Sequence, residues 1–278
     1  MKKVKPDYLL HNNIRLNQGG REYFDLMKQL IDEAKEIIHL QFYIFDEDET
    51  GRTVADALMA AARRGVKVFM LLDAYGSQNL SKAFVKTLRD SGIILRRFRP
   101  LFKGRRFYLG RRLHHKIVVT DASRCLVSGL NVSDRYNDIA DVPAWLDWAL
   151  YVEGEVALAL EEICRSRMRF RIRNAVVKKP LPLPKTKFPV RVRVNDWIRR
   201  KRQIYRTYLE MFRDATERIT IMSAYFLPGR MFRKKIEAAR KRGVRFRVVL
   251  TADADVVLIK YAERYIYRWL FKHGIEVY

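Results

Sequence analysis

Apolar and polar positions repeat along this chain with two periods, and the switches between them mark its elements. Residues 21–34 carry Tyr23, Phe24, Met27, Leu30 and Ile31 three and four apart, the spacing of an amphipathic helix. Residues 37–45 form an apolar run that predicts a strand. Helices over 53–64 and 80–91 then alternate with strands over 66–72 and 93–98, and a further helix is predicted over 156–170. Gly65 and Gly92 fall just past two helix ends, where a left-handed cap costs glycine least. Helices between apolar, β-branched strands predict an α/β sandwich around a mostly parallel sheet.

A different pattern occupies residues 113–131. Val118, Val119 and Thr120 predict a strand, 121–124 a turn, and Cys125, Leu126 and Val127 a returning strand. His114 and Lys116, two apart, share a face, while His115 points the other way. Pairing Thr120 with Cys125 sets Asn131 opposite His114 and Gly129 opposite Lys116. A nucleophile, a cation and an amide then border a space the size of a phosphate. A neutral imidazole attacks phosphorus without a metal, and a lysine balances charge on the phosphoryl oxygens. Asn131 offers a further donor, and Asp121, at the turn, reads as a brace of the hairpin. Adjacent strand histidines face opposite ways, so His114 and His115 do not chelate one ion. An isolated strand histidine is ordinarily structural; the constellation argues otherwise.

The run His-x-Lys-x4-Asp, followed by Ser128-Gly129-Leu130-Asn131, resembles the HKD signature of the phospholipase D superfamily. One branch resembles it further: the bacterial cardiolipin synthases without membrane-spanning helices. Phe42 to Asp46, Leu71 to Ser77, Ser128 to Tyr136 and Ser223 to Pro228 match that branch's landmarks, and the resemblance runs from about residue 17 to Tyr278. It implies a phospholipase D-like sandwich with His114, Lys116 and Asp121 as the catalytic set. Ser128, Gly129 and Asn131 would support the phosphate, and Asp147 would hydrogen-bond the catalytic histidine. It implies phosphatidyl transfer through a phosphohistidine, with no metal or cofactor. The rival readings are a phosphodiesterase or nuclease of the same superfamily, and an inactive lipid-binding fragment.

Composition narrows the partners. The 278 residues include 49% hydrophobic ones, enough to bury a core in one large or two modest domains. Two cysteines make no disulfide framework and suit a reducing compartment. Residues 1–6 are basic without an apolar continuation, and no run nears the roughly 18 apolar residues of a membrane span. A soluble or peripheral chain is expected, cytoplasmic and at the inner face of the cell membrane. Its net charge of +25, from 56 Lys and Arg against 31 Asp and Glu, favours an anionic polymer or surface. With the resemblance, anionic phospholipid such as phosphatidylglycerol is favoured over nucleic acid. Residues 98–112, which interleave Arg105, Arg106, Arg111 and Arg112 with Phe102, Phe107 and Tyr108, read either as a lipid-headgroup contact or as a packed loop.

The organisation is duplicated. Residues 1–175 form a first repeat, a Pro- and Lys-rich linker covers 176–195, and 196–278 form a second, incomplete repeat. Residues 34–40 resemble 215–221, 64–68 resemble 242–246, and 91–93 resemble 273–275. A second motif is expected about 180 residues after the first, beyond Tyr278. The chain therefore reads as truncated and, alone, as a poor catalyst. A homodimer joining two copies of His114 is the less favoured arrangement.

Overall fold

The computed structural model describes residues 8–100, 102–103, 106–107, 112–140, 142–168, 183–196, 201–252 and 257–278, excepting the side chains of 102–103, 106–107, 201 and 257. It forms two compact units, Met1–Val192 and Arg193–Tyr278. Of the expected linker, 176–182 lie outside the described residues. Residues 183–192 belong to the first unit: Leu9 and Val190 exchange backbone hydrogen bonds of 2.8 and 2.9 Å, and the Asn12 amide donates to the Phe188 carbonyl. The boundary thus falls between Val192 and Arg193.

In the first unit the order is β1 (Asn12–Gln18), α1 (Arg21–Glu33), β2 (Ile37–Phe42), α2 (Glu49–Arg63), β3 (Lys67–Asp73), α3 (Lys82–Asp90) and β4 (Ile94–Phe98). Two short strands, β5 (Phe102–Lys103) and β6 (Arg106–Phe107), precede β7 (Lys116–Thr120), β8 (Arg124–Ser128), β9 (Trp148–Gly154) and α4 (Glu155–Met168). One 7-stranded sheet runs β1-β9-β8-β7-β2-β3-β4. The β2, β3 and β4 pairings are parallel and the others antiparallel.

Helices α1, α2 and α3 bury Met27, Leu30, Leu58 and Leu88 against Leu40, Met70 and Val118 on one face. On the other, α4 buries Val156, Leu160 and Cys164 against Ile117, Val119 and Val152. Strands β2 and β7 are buried throughout, which is why their sequences are apolar on both faces apart from His39, Gln41, Lys116 and Thr120. The α2 helix starts before its predicted residue 53 because the Asp48 carboxylate accepts from the Gly51 amide and caps it. Strand β1 was not expected. Its residues are mostly polar and exposed, and it completes the sheet as an edge on β9.

The second unit contains β10 (Asn195–Asp196), β11 (Lys201–Arg202), α5 (Gln203–Asp214), β12 (Arg218–Ser223), α6 (Arg230–Lys241), β13 (Arg245–Leu250), α7 (Val257–Lys272) and β14 (Glu276–Val277). Its core gathers Phe212, Ile236, Phe246, Val248 and Leu270. The parallel strands β12, β13 and β14 repeat β2, β3 and β4 to the register. Ile37 faces Lys67 and Phe69 faces Ile94, as Arg218 faces Arg245 and Arg247 faces Glu276.

Even a side-chain brace recurs. Arg64 donates to the carbonyls of Ile31 and Asp32 at 2.9 Å, and Arg242 to those of Phe212 and Arg213 at 2.8 and 2.9 Å. Each arginine ties the end of one helix to the C-terminal end of the preceding one, satisfying carbonyls that a helix end leaves open. Replacing either by alanine should cost about 1–2 kcal/mol, since the bonds have a charged donor and are partly exposed. Peptide-resolved hydrogen exchange should show α1 and β2 exchanging faster in Arg64→Ala, and α5 and β12 in Arg242→Ala. Unchanged exchange in either variant would show that its brace contributes nothing.

Candidate active site

Because β7 runs antiparallel to β2, its first residue, Lys116, lies beside Phe42, the last residue of β2. Phe42 in turn faces Leu72 on β3. The start of β7 is therefore level with the carboxyl ends of the parallel strands, where open α/β sheets place their sites. His114 and Lys116 meet there. The Lys116 ammonium is 3.4 Å from each ring nitrogen of His114. The Tyr43 ring packs 5.2 Å from the imidazole, and the ammonium lies 5.7 Å from the Tyr43 centroid. His115 takes the opposite face, where its Nδ1 meets the Gln41 carbonyl oxygen at 2.9 Å. The Gln41 amide nitrogen donates to the Cys164 carbonyl, so its oxygen accepts and His115 Nδ1 carries the proton.

The electrostatics separate the two groups. Burial pulls the His114 pKa below the ordinary histidine value and Lys116 lowers it further, while Asp73 opposes them. Burial brings Lys116 down to about 8, and the Asp147 carboxylate holds it up. Near neutral pH a free imidazole lone pair therefore stands beside an ammonium. That is the ionisation a nitrogen nucleophile and a phosphoryl-oxygen clamp require.

The remaining expected residues divide. The hairpin register differs from expectation by one: Thr120 pairs with Arg124 and Val119 with Cys125. The turn holds three residues rather than four, with Asp121 and Ala122 at φ of 51° and 50°. Asn131 accordingly does not face His114 as a free donor. It is buried, its Oδ1 accepting from the Ile44 amide and its Nδ2 donating to the Tyr136 hydroxyl. Ser128 bonds the Tyr23 hydroxyl and donates to the Leu130 carbonyl, so it braces the strand end.

Gly129 keeps a place at the site's margin. A Cβ there would lie 2.2 Å from an Asp147 carboxylate oxygen, so the carboxylate fits because glycine has no side chain. Asp147 accepts from its neighbour Trp148's amide and acts electrostatically on Lys116. No hydrogen bond joins it to His114, in contrast to the role that the resemblance implied. Asp121 is remote from this cluster. Its carboxylate accepts from the amides of Lys35, Glu36 and Ile37, each at 2.8 Å, at the far end of β2. There it ties the hairpin turn to the start of β2 rather than lying beside His114.

Two neighbours of His114 were given no role by sequence reasoning: Tyr43 and Asp73. Their signal was present, because both lie in the landmark runs at the ends of apolar strands, and Asp73 is a charge closing such a run. Of the basic segment 98–112, residues 101, 104–105 and 108–111 and the side chains of 102–103 and 106–107 lie outside the described residues. Arg112 is described and turns inward, 3.6 Å from the Asp73 carboxylate and donating to the Arg99 carbonyl.

A family model described as "Cardiolipin synthase, PLD-like domain" matches residues 27–141 and 208–278. Cardiolipin synthase B of Escherichia coli K12 is 32% identical over 281 residues, covering 96% of this chain and 66% of that protein. The probable cardiolipin synthase YwiE of Bacillus subtilis is 31% identical, covering 96% of this chain and 54% of that protein. The chain thus spans from about half to two thirds of the length of these relatives. Among solved structures, phosphatidylserine synthase of Haemophilus influenzae shares the fold with a TM-score of 0.71 at 14% identity, covering 97% of this chain and 73% of that one.

The ionisation predicts a bell-shaped pH dependence for modification of His114 by an activated phosphodiester. Reactivity should rise with pH as His114 loses its proton, below the ordinary histidine value, and fall through about 8 as Lys116 becomes neutral. In Lys116→Met the fall near pH 8 should vanish and the plateau should drop about 100-fold. A wild-type profile still rising at pH 9 would contradict the assignment of Lys116.

Proposed function

Because the chain belongs to the cardiolipin synthase family of phospholipase D-like domains, we propose that it serves phosphatidyl transfer between phospholipids, with His114 as the nucleophile. The observation that carries this reading is the pairing of a neutral His114 with the cationic Lys116 at the carboxyl ends of the sheet. His114 attacks the phosphorus of a phospholipid phosphodiester, forming a P–N bond as the P–O bond to the headgroup alcohol breaks. Lys116 takes up charge on the non-bridging oxygens. An in-line displacement leaves the departing oxygen on the far side of phosphorus, so its proton comes from a general acid facing His114, not from Lys116 beside it. A second alcohol, such as that of another phosphatidylglycerol, then takes the phosphatidyl group and frees the imidazole.

The partner we propose is an anionic phospholipid at a membrane surface. The net charge of +25 supports it, through the attraction of basic residues to acidic headgroups. Among the described residues no helix is long and apolar enough to cross a membrane. A cytoplasmic chain held peripherally at the inner face of the membrane accords with both.

Incubation with a labelled phosphodiester followed by acid should reveal an acid-labile adduct in wild type and in His115→Ala, and none in His114→Ala. Phosphatidylglycerol vesicles and single-stranded DNA, supplied in parallel, decide the substrate. Adduct and turnover with lipid alone support phosphatidyl transfer, and cleavage of DNA alone would replace it with a nuclease. Equal labelling of wild type and His114→Ala would overturn the nucleophile.

Vesicle binding gives a second test. Replacing Arg105, Arg106 and Arg111 by glutamine should weaken it by about 3 kcal/mol in low salt, near 1 kcal/mol for each residue at a charged surface. Arg112, turned toward Asp73, is excluded from that set. Undiminished co-sedimentation with phosphatidylglycerol vesicles would remove the segment from lipid binding.

A further inference from the structure

The run from Leu71 to Ser77 stands out in the sequence, yet the chemistry proposed above uses none of it. In the structure it surrounds His114. Asp73, the last residue of β3, is fully buried, and both of its carboxylate oxygens are occupied. Oδ1 accepts from the amides of Tyr75 and Gly76 at 3.0 and 3.1 Å. Oδ2 accepts from the amide of Leu113 at 2.7 Å. Leu113 is the residue before His114, and its side chain is packed with Ile37, Phe69, Leu71 and Met168 on the α4 face. Held by its amide and by its side chain, Leu113 fixes the direction in which the chain delivers His114.

The same turn fixes the ring that lies against the imidazole. The Ser77 hydroxyl donates to the Tyr43 carbonyl at 3.1 Å and accepts from the Phe45 amide at 3.0 Å. Gly76 passes so close that a Cβ would lie 2.2 Å from the Tyr43 carbonyl oxygen. The residue before His114 and the backbone of the Tyr43 ring beside it are thus both held by one five-residue turn, anchored on one carboxylate. An asparagine cannot reproduce the anchor, because its amide nitrogen cannot accept from an N–H.

We propose that Asp73 is the positioning residue for His114: it fixes the imidazole through Leu113 and the Tyr43 turn, and places a buried negative charge where the imidazole becomes cationic on bonding to phosphorus. This rests on His114 being the nucleophile. The charged and titratable groups around the imidazole come from several segments: Lys116 on β7, Asp73 at the end of β3, Arg112 just before the motif, Tyr43 after β2, and Asp147 through its action on Lys116. Asp73 raises the His114 pKa against the larger effects of burial and Lys116. Arg112, 3.6 Å from the Asp73 carboxylate, offsets part of its charge.

The test is the titration of His114 in the full chain, followed by NMR of labelled histidine and assigned with His114→Ala. In Asp73→Asn the His114 midpoint should move down, because the opposing charge is gone. In Arg112→Gln, which keeps the carboxylate and its three amides, it should move up. Adduct formation by Asp73→Asn should fall about 10- to 100-fold at the pH optimum, the scale of a small misplacement of a reacting group. The acid limb of its pH profile should move down with the midpoint. Opposite shifts in the two variants support the proposal; an unmoved midpoint in both, or a rate in Asp73→Asn equal to wild type, overturns it. If Asp73→Asn fails to fold, the upward shift in Arg112→Gln decides, and its absence overturns the proposal. Should wild type form no adduct with any phosphodiester, the functional reading fails, while the two titrations still decide the role of Asp73.

Discussion

The antiparallel pairing of β7 with β2, in one register, is the constraint on which the site depends. It brings Lys116 level with Phe42 at one end and Thr120 level with Ile38 at the other. Asp121 fixes that second end. Its two carboxylate oxygens take the amides of Lys35, Glu36 and Ile37 as β2 begins, so β7 cannot slide along its neighbour without giving up these bonds, that of the buried Ile37 amide among them. A slip of one residue would turn His114 and Lys116 to the α4 face and His115 to theirs. The aspartate of the motif therefore serves the histidine from the other end of the strand, through register and not through contact.

What the sequence makes legible, and what it hides, follows from burial. Helices α1 and α3 announce themselves because each buries an apolar face at helical spacing, and β3 because its run is apolar and buried on both sides. The hairpin register does not. Every residue of β7 is buried, so no alternation of polar and apolar residues distinguishes one register from the next. The decision falls to a three-residue turn in which Asp121 and Ala122 adopt positive φ, and alanine gives no hint of that. Strand β1 is hidden for the opposite reason. An edge strand of Asn, Arg and Gln needs only its backbone to pair, and carries no periodic signal. Roles within the site were hidden by partners distant in sequence. Asn131 looks like a free donor until Ile44 and Tyr136 occupy its amide, and Asp73 looks like a strand end until Leu113 returns to it.

The second unit shows how much of this design is scaffold. It keeps the parallel strands in the same register, the glycines at positive φ after the helices and the arginine brace. Where Asp73 ends β3, Thr251 follows β13, and its carbonyl accepts from Lys260. The repeated features are those that close a β-α-β unit, and the residue at the Asp73 position is not among them.

Three of the four histidines in the first unit draw a similar contrast within one residue type. His39, on β2, is fully buried, stacked on Phe69 at 5.0 Å, and burial pulls it down to about 4. It stays neutral near neutral pH, and its nearest carboxylate, on Glu161, is 3.9 Å away and itself pushed up by burial. His115 has Nδ1 committed to Gln41. His114 alone of the three combines partial solvent access, an adjacent ammonium and a buried carboxylate opposing its desolvation. An imidazole becomes a nucleophile by being kept neutral, accessible and supported against the charge it must acquire. Burial alone supplies only the first of these, which is why the most perturbed histidine in this unit is not the one proposed as the nucleophile.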